Sequence, residues 1–135
     1  MKKFHLDIYT PYGHYLSDDV DYLSVSSEEY KLGILPNHAE LISTITICEI
    51  EIEDDGVRNY YATSGGVIKV KNNQVDLILQ TIERADEIDL ERAQAAKERA
   101  ERRLADSTLE TLAQTRARLA LARANNRINI KVRFN

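Results

Sequence analysis

The residues of this chain whose types could do chemistry are three histidines, one cysteine, a serine beside two glycines, and a set of regularly spaced arginines. His5, His14 and His38 are scattered, and no two stand at a spacing typical of metal ligands. His38-Ala39-Glu40 sets a base near a carboxylate, but it follows Pro36 in a polar stretch and reads as a loop. Ser64-Gly65-Gly66 lacks the Gly-x-Ser-x-Gly pattern of a nucleophile turn, and no helical pattern follows it. Two glycines between strand-like runs instead mark a bulge or a close approach of backbones. Cys48 sits in an apolar run and reads as core. A Gly-x4-Gly-Lys-Ser/Thr phosphate loop is absent from the sequence. Residue chemistry alone therefore assigns no active site.

The arginines are more regular. Arg116, Arg123 and Arg127 stand at i, i+7 and i+11, and Arg92, Arg99 and Arg103 repeat that spacing, so each triplet lies on one helical face. Two readings stand. One is a solvated face with local pairs such as Glu98–Arg102, each contributing a few tenths of a kcal/mol. The other is an anion site, because guanidinium forks match phosphate oxygens bidentately.

Positioning these groups requires two kinds of element. The 135 residues suit one ordinary domain, or a small domain with an appendage. A single cysteine excludes an intrachain disulfide and fits a reducing compartment. The first residues, MKKFHLDIY, lack the apolar stretch of a signal peptide, and no apolar run approaches the roughly 18 residues of a membrane span. A net charge of −4 argues against nucleic acid as partner.

Composition breaks near residue 85: every glycine, proline, histidine and tyrosine precedes it, and most alanines follow it. The first part carries a net charge of −7 and the second +3. In the first part Phe4, Leu6 and Ile8 alternate with His5, Asp7 and Tyr9, Leu23 and Val25 with Tyr22 and Ser24, and Val75, Leu77 and Leu79 with Asp76, Ile78 and Gln80, the period of half-buried strands. The run from Ile45 to Ile52 changes phase and predicts one long, bent or bulged strand. Pro11-Tyr12-Gly13, Asp55-Gly56 and Asn72-Asn73 supply turns. Many short strands and no βαβ pattern predict a β-sandwich or small barrel.

In the second part Asp89 is a natural N-cap before Leu90-Glu91-Arg92-Ala93. Ser107 and Glu110 form a capping-box pattern that predicts the start of a second helix. So short a break implies an antiparallel hairpin. The tail Ile128-Asn129-Ile130-Lys131-Val132-Arg133-Phe134 alternates strictly and reads as a strand or extended tail. The packing positions are mostly alanine. Such helices form readily but bury little apolar area, which describes an element able to change its packing.

Four segments then carry a resemblance along the whole chain: Gly33-Ile34-Leu35-Pro36-Asn37-His38-Ala39, Ala62-Thr63-Ser64-Gly65-Gly66-Val67, Glu83-Arg84-Ala85-Asp86-Glu87-Ile88-Asp89, and Arg123-Ala124-Asn125-Asn126-Arg127-Ile128. In this order the chain resembles the epsilon subunit of bacterial F-type ATP synthases. One departure is Asn37, where many members have glycine. The resemblance implies a sandwich of about ten strands over 1–85 and a helical hairpin over 86–135. It implies a non-catalytic rotor subunit, peripheral to the cytoplasmic face of the bacterial plasma membrane, that couples the gamma subunit to the c-ring and requires no cofactor. Glu29, Tyr30, Lys31 and His38 are the contacts it suggests for gamma and the ring. The hairpin in such proteins restrains ATP hydrolysis when extended into the alpha/beta catalytic hexamer. Some members bind ATP on the folded hairpin through Ile-Asp-x-x-Arg-Ala, which Ile88-Asp89-Leu90-Glu91-Arg92-Ala93 fits in full. The accompanying positions fall on Glu83, Arg123 and Arg127. The competing reading is a sandwich adaptor with a helical docking arm in another assembly.

Overall fold

A computed structural model describes residues 2–134, and the chain divides into two units between Arg84 and Ala85. The first unit holds ten strands: β1 (Phe4–Thr10), β2 (Gly13–Val20), β3 (Tyr22–Ser26), β4 (Lys31–Ile34), β5 (Leu41–Ile45), β6 (Cys48–Asp54), β7 (Val57–Thr63), β8 (Gly66–Lys71), β9 (Gln74–Leu79) and β10 (Ile82–Arg84). They form two five-stranded sheets, ordered β2-β1-β9-β8-β5 and β10-β7-β6-β3-β4. Every pairing is antiparallel except β1 with β9. The architecture is the expected β-sandwich. Alternate residues enter its core: Phe4, Leu6 and Ile8 from β1, Ile50 and Ile52 from β6, Leu77 and Leu79 from β9. Cys48 is buried among them, as expected, and burial pushes its thiol pKa up.

The turns follow from residues that tolerate left-handed backbone. Asp55-Gly56 joins β6 to β7 with φ of 50° and 80°, and Asn72-Asn73 joins β8 to β9 with φ of 52° and 61°. Positive φ at both central residues is the type I′ geometry that suits strand twist.

The expected single strand across 45–52 is two. β5 ends at Ile45 in one sheet and β6 begins at Cys48 in the other. The phase slip in the alternation is the chain crossing between sheets, because each sheet demands its own inward face. Gly65 and Gly66 make the matching crossover between β7 and β8. A Cβ on Gly65 would stand 2.8 Å from the Ile45 carbonyl oxygen, and one on Gly66 would stand 1.9 Å from that of Ile78. The pair therefore marks close backbone approach, as read from the sequence.

The second unit is a 3-10 turn (Ala85–Glu87) and two helices, α1 (Leu90–Leu104) and α2 (Thr111–Phe134), packed on each other. Asp89 caps α1, its carboxylate accepting the Arg92 N–H at 3.1 Å. The Ser107–Glu110 box does not form. Asp106 accepts from the Thr108 N–H and hydroxyl instead, and α2 starts four residues after Ser107. An aspartate one position earlier outcompetes serine for the free N–H groups, and the chain turns once more before committing to helix. The tail 128–134 is also helix, the end of α2, rather than strand. Elongating an existing helix fixes one residue per hydrogen bond, so local β preference is overridden once packing holds the helix. Here Ile130 is fully buried, while the Lys131 ammonium donates to the Asp86 carbonyl at 3.2 Å. None of the described helices is long and apolar enough to cross a membrane.

Candidate functional site

The hairpin seam is built from alanine. Ala93 and Ala100 on α1, and Ala117 and Ala124 on α2, are buried and in each helix seven residues apart. Side chains at this spacing stay on one stripe, and small ones let the helix axes approach closely. The arginine positions follow. Arg92, Arg99, Arg116 and Arg123 each stand one residue before a seam alanine; Arg103 and Arg127 stand three residues after one. Both offsets turn to the same flank of a helix. Antiparallel helices meeting at a common seam present equivalent flanks on the same side. The two triplets of the sequence thus become one basic side of the hairpin.

Five of the six residues expected to form a nucleotide site lie in this unit. Asp89 is exposed at the α1 N-cap; Arg92 is exposed in the first turn of α1; Arg123 is exposed and Arg127 half-buried near the end of α2. The Lys131–Asp86 bond brings the end of α2 back beside the start of α1. The fold thus gathers Arg92, Arg123 and Arg127 at one end and one side of the hairpin. Ile88 is buried. The sixth residue, Glu83, lies on β10 in the sandwich unit.

The four expected contact residues are split. Glu29 and Tyr30 are exposed in the turn before β4, where the Ser27 N–H donates to the Tyr30 carbonyl at 2.8 Å, and Lys31 opens that strand. His38 lies past the other end of β4, its Nδ1 2.8 Å from the Ala39 carbonyl rather than on Glu40. Neighbouring Asn37 has φ of 64°, a conformation that suits glycine and that asparagine tolerates.

Sequence reading missed an apolar row on the outer face of the first sheet. Tyr9 pairs in register with Ile78, and Ile78 with Val67. All three are exposed, as is Ile42 nearby on β5. The available signal was an apolar residue at an outward position: Ile78 stands between Asp76 and Gln80 where the alternation calls for a polar residue. Contiguous exposed apolar surface of this kind marks contact with other molecules. A second cluster, Asp21, Asp54 and Asp55, brings three carboxylates together. The Lys3 ammonium bridges Asp54 and Asp55, and these bonds raise its pKa.

Two family models together match residues 3–131 of the chain. The ATP synthase delta/epsilon chain β-sandwich domain covers residues 3–85, and the long α-helix domain of the same chain covers 86–131. This chain belongs to the ATP synthase delta/epsilon family. Its relatives include the ATP synthase epsilon chain of Halalkalibacterium halodurans, 38% identical over 130 residues, spanning 96% of this chain and 98% of the relative. The epsilon chain of Desulfitobacterium hafniense strain Y51 is 42% identical over 126 residues, spanning 93% and 94%. Among solved structures, a chain of the Euglena gracilis mitochondrial ATP synthase (OSCP/F1/c-ring, rotational state 1) superposes with a TM-score of 0.82 at 20% identity, over 92% of this chain and 78% of that one. A chain of the Tetrahymena thermophila central stalk and c-ring gives 0.68 at 16% identity, over 96% and 97%. At such identities the structural likeness speaks for the fold, and the family rests on the sequence matches.

Proposed function

We propose that this chain is the non-catalytic central-stalk subunit of a bacterial F-type ATP synthase, peripheral to the cytoplasmic side of the membrane. In this reading its sandwich docks gamma and the c-ring, and its hairpin is a regulatory arm toward the alpha/beta hexamer. The observation that carries it is the family match across both units. The exposed row Tyr9, Ile78 and Val67 is a surface the sandwich can offer to a partner, since a rigid sheet presents it without conformational cost. Glu29, Tyr30, Lys31 and His38 add polar loop contacts at both ends of β4. The test is co-expression with the gamma and c subunits followed by purification on gamma. Retention of this chain supports the assignment, and Ile78→Asp should reduce it while leaving the circular dichroism unchanged. Failure of the unaltered chain to be retained would refute it.

The regulatory part of the proposal concerns ATP. Arg92, Arg123 and Arg127 would hold the phosphates, with Asp89 accepting bonds from ribose or adenine. ATP bound this way uses both helices and so favours the closed hairpin.

A further inference from the structure

The outer face of β1, β2 and β9 also carries a polar side-chain network, which adjoins the apolar row at Tyr9. His5 Nδ1 lies 2.7 Å from Asp19 Oδ1, and its Nε2 lies 2.9 Å from Ser17 Oγ and 3.5 Å from Asp7 Oδ1. His14 Nε2 reaches the same Asp7 oxygen at 2.8 Å, and its ring stacks on Tyr9 at 4.7 Å. Gln74 donates to Asp7 at 2.7 Å and to Asp76 at 3.0 Å. The Asp7 side chain is only 14% exposed.

Strand β2 needs such fastening. It is an edge strand, it pairs only with β1, most of it is exposed, and its register slips opposite Ile8 and Tyr9. Hydrogen-bond inventory shows which protonation state fastens it. A neutral imidazole donates at one nitrogen; an imidazolium donates at both. The Ser17 hydroxyl donates to Asp7. The charged ring satisfies every group in turn: Nδ1–H to Asp19, Nε2–H to Ser17, Ser17 O–H to Asp7. A neutral ring loses one of these bonds in either tautomer: protonated at Nδ1, its Nε2 competes with Asp7 for the Ser17 proton, and protonated at Nε2, its Nδ1 lone pair faces the Asp19 carboxylate.

We propose that His5, held to Asp19 and Ser17 of β2, is a proton-operated clasp that fastens this edge strand to the sheet when charged and loosens it when neutral. The surroundings favour the charged form. On β1 stand Asp7 and Tyr9, on β2 Asp19 and His14, and on β9 Asp76, with Lys69 opposite Asp76 and Lys71 opposite Gln74 on the strand beyond. The bond His5 donates to Asp19 is the main cause lifting the His5 pKa above its usual value, desolvation opposes it, and the charges of Asp7 and Asp19 add to the rise. A raised histidine pKa contributes stability in full below the unfolded value near 6.5, and that stability is lost as pH climbs through the folded value. The clasp therefore holds at mildly acid pH and opens toward alkaline pH.

The test is amide hydrogen exchange on the full chain at pH 6 and pH 8, corrected for the intrinsic rates, comparing β2 with β8 and β9. In the unaltered chain, β2 opening should rise about threefold or more relative to β8 and β9 between the two pH values. In His5→Gln, which cannot titrate, the two values should agree. An unaltered chain with pH-independent β2 protection, or a His5→Gln chain with the same pH response, overturns the proposal. If His5→Gln does not fold, the His5 ring titration followed by NMR in the unaltered chain decides. A midpoint shared with the β2 amides supports the clasp, and separate midpoints overturn it.

Discussion

The nucleotide reading of the hairpin is decided by removing single arginines. Arg92→Ala and Arg123→Ala each delete a guanidinium toward the end of the hairpin away from its turn, and Arg102→Ala deletes one two residues past seam residue Ala100, on a different flank of α1. All three side chains are exposed, and none is part of the alanine seam, so truncation should leave the packing of α1 on α2 unchanged. A hydrogen bond to a charged group contributes about 1.5–3 kcal/mol. Losing one phosphate contact should therefore weaken ATP binding by roughly 10- to 150-fold, at about 1.4 kcal/mol per factor of ten. Because both arginines would hold one phosphate chain, the double change should cost something other than the sum of the singles. Arg127 is the poorer choice, since it is half-buried and its loss would disturb the hairpin itself.

Isothermal titration with ATP measures the affinities, and circular dichroism melts confirm that the variants fold alike. The consequence for the arm follows by linkage. Ligand at a hundred times its dissociation constant stabilises the state it binds by about 2.7 kcal/mol, enough to decide a seam made of alanines that each bury little area. The arginine variants should thus open at higher ATP than the parent. Equal affinity in all three single variants, or an Arg102 variant as impaired as Arg92, would show that the basic side is only a solvated face. A parent chain that binds no ATP would remove the nucleotide sensor and leave the stalk assignment intact.

Three other outcomes test the fold. Gly66→Ala should destabilise the sandwich by about 3 kcal/mol or more, because its Cβ would collide with backbone at 1.9 Å; Gly56→Ala, at φ +80° with open space around it, should cost only about 1–2 kcal/mol, and denaturant melts compare the two. Residues 1–85 expressed alone should unfold in one cooperative step, since the buried apolar cluster is contained within them; a gradual loss of signal would contradict that. Asp7 is held down to about 2, chiefly by the Ser17 hydroxyl, with Gln74 and His14 adding. A depressed carboxylate contributes stability above its unfolded value near 3.9, lost as pH falls through the folded value, so Asp7→Asn should flatten acid unfolding between about pH 4 and 2.

What the sequence displayed depended on how local each signal was. Period-2 alternation in 4–8 and 75–79, and paired turn residues at 55–56 and 72–73, act within a few residues and were legible. The Ile45–Ile52 run was not, because whether a phase slip is a bulge or a change of sheet depends on a partner strand far away in sequence. The 128–134 tail failed for a related reason. Its alternation is real, but burial of Ile130 and the Lys131 bond to Asp86 are tertiary, and they decide the conformation. At 107–110 two competing side chains, Asp106 and Ser107, were adjacent, and pattern alone ranked them wrongly.

The candidate site shows the same divide at a higher level. Each arginine triplet was visible as a face of its own helix. That the two faces become one depends on where each lies relative to the alanines, and on the helices running antiparallel. A face that one helix presents alone attracts an anion from one direction. Two such faces on one side of a hairpin converge only while the hairpin is closed, so in the proposed reading an anion bound by both would favour closing. Under that proposal the alanine seam and the shared basic side would act together. Alanine lets the helices approach closely and buries little apolar area, so a ligand gripping both arginine faces would tip the balance toward the closed hairpin.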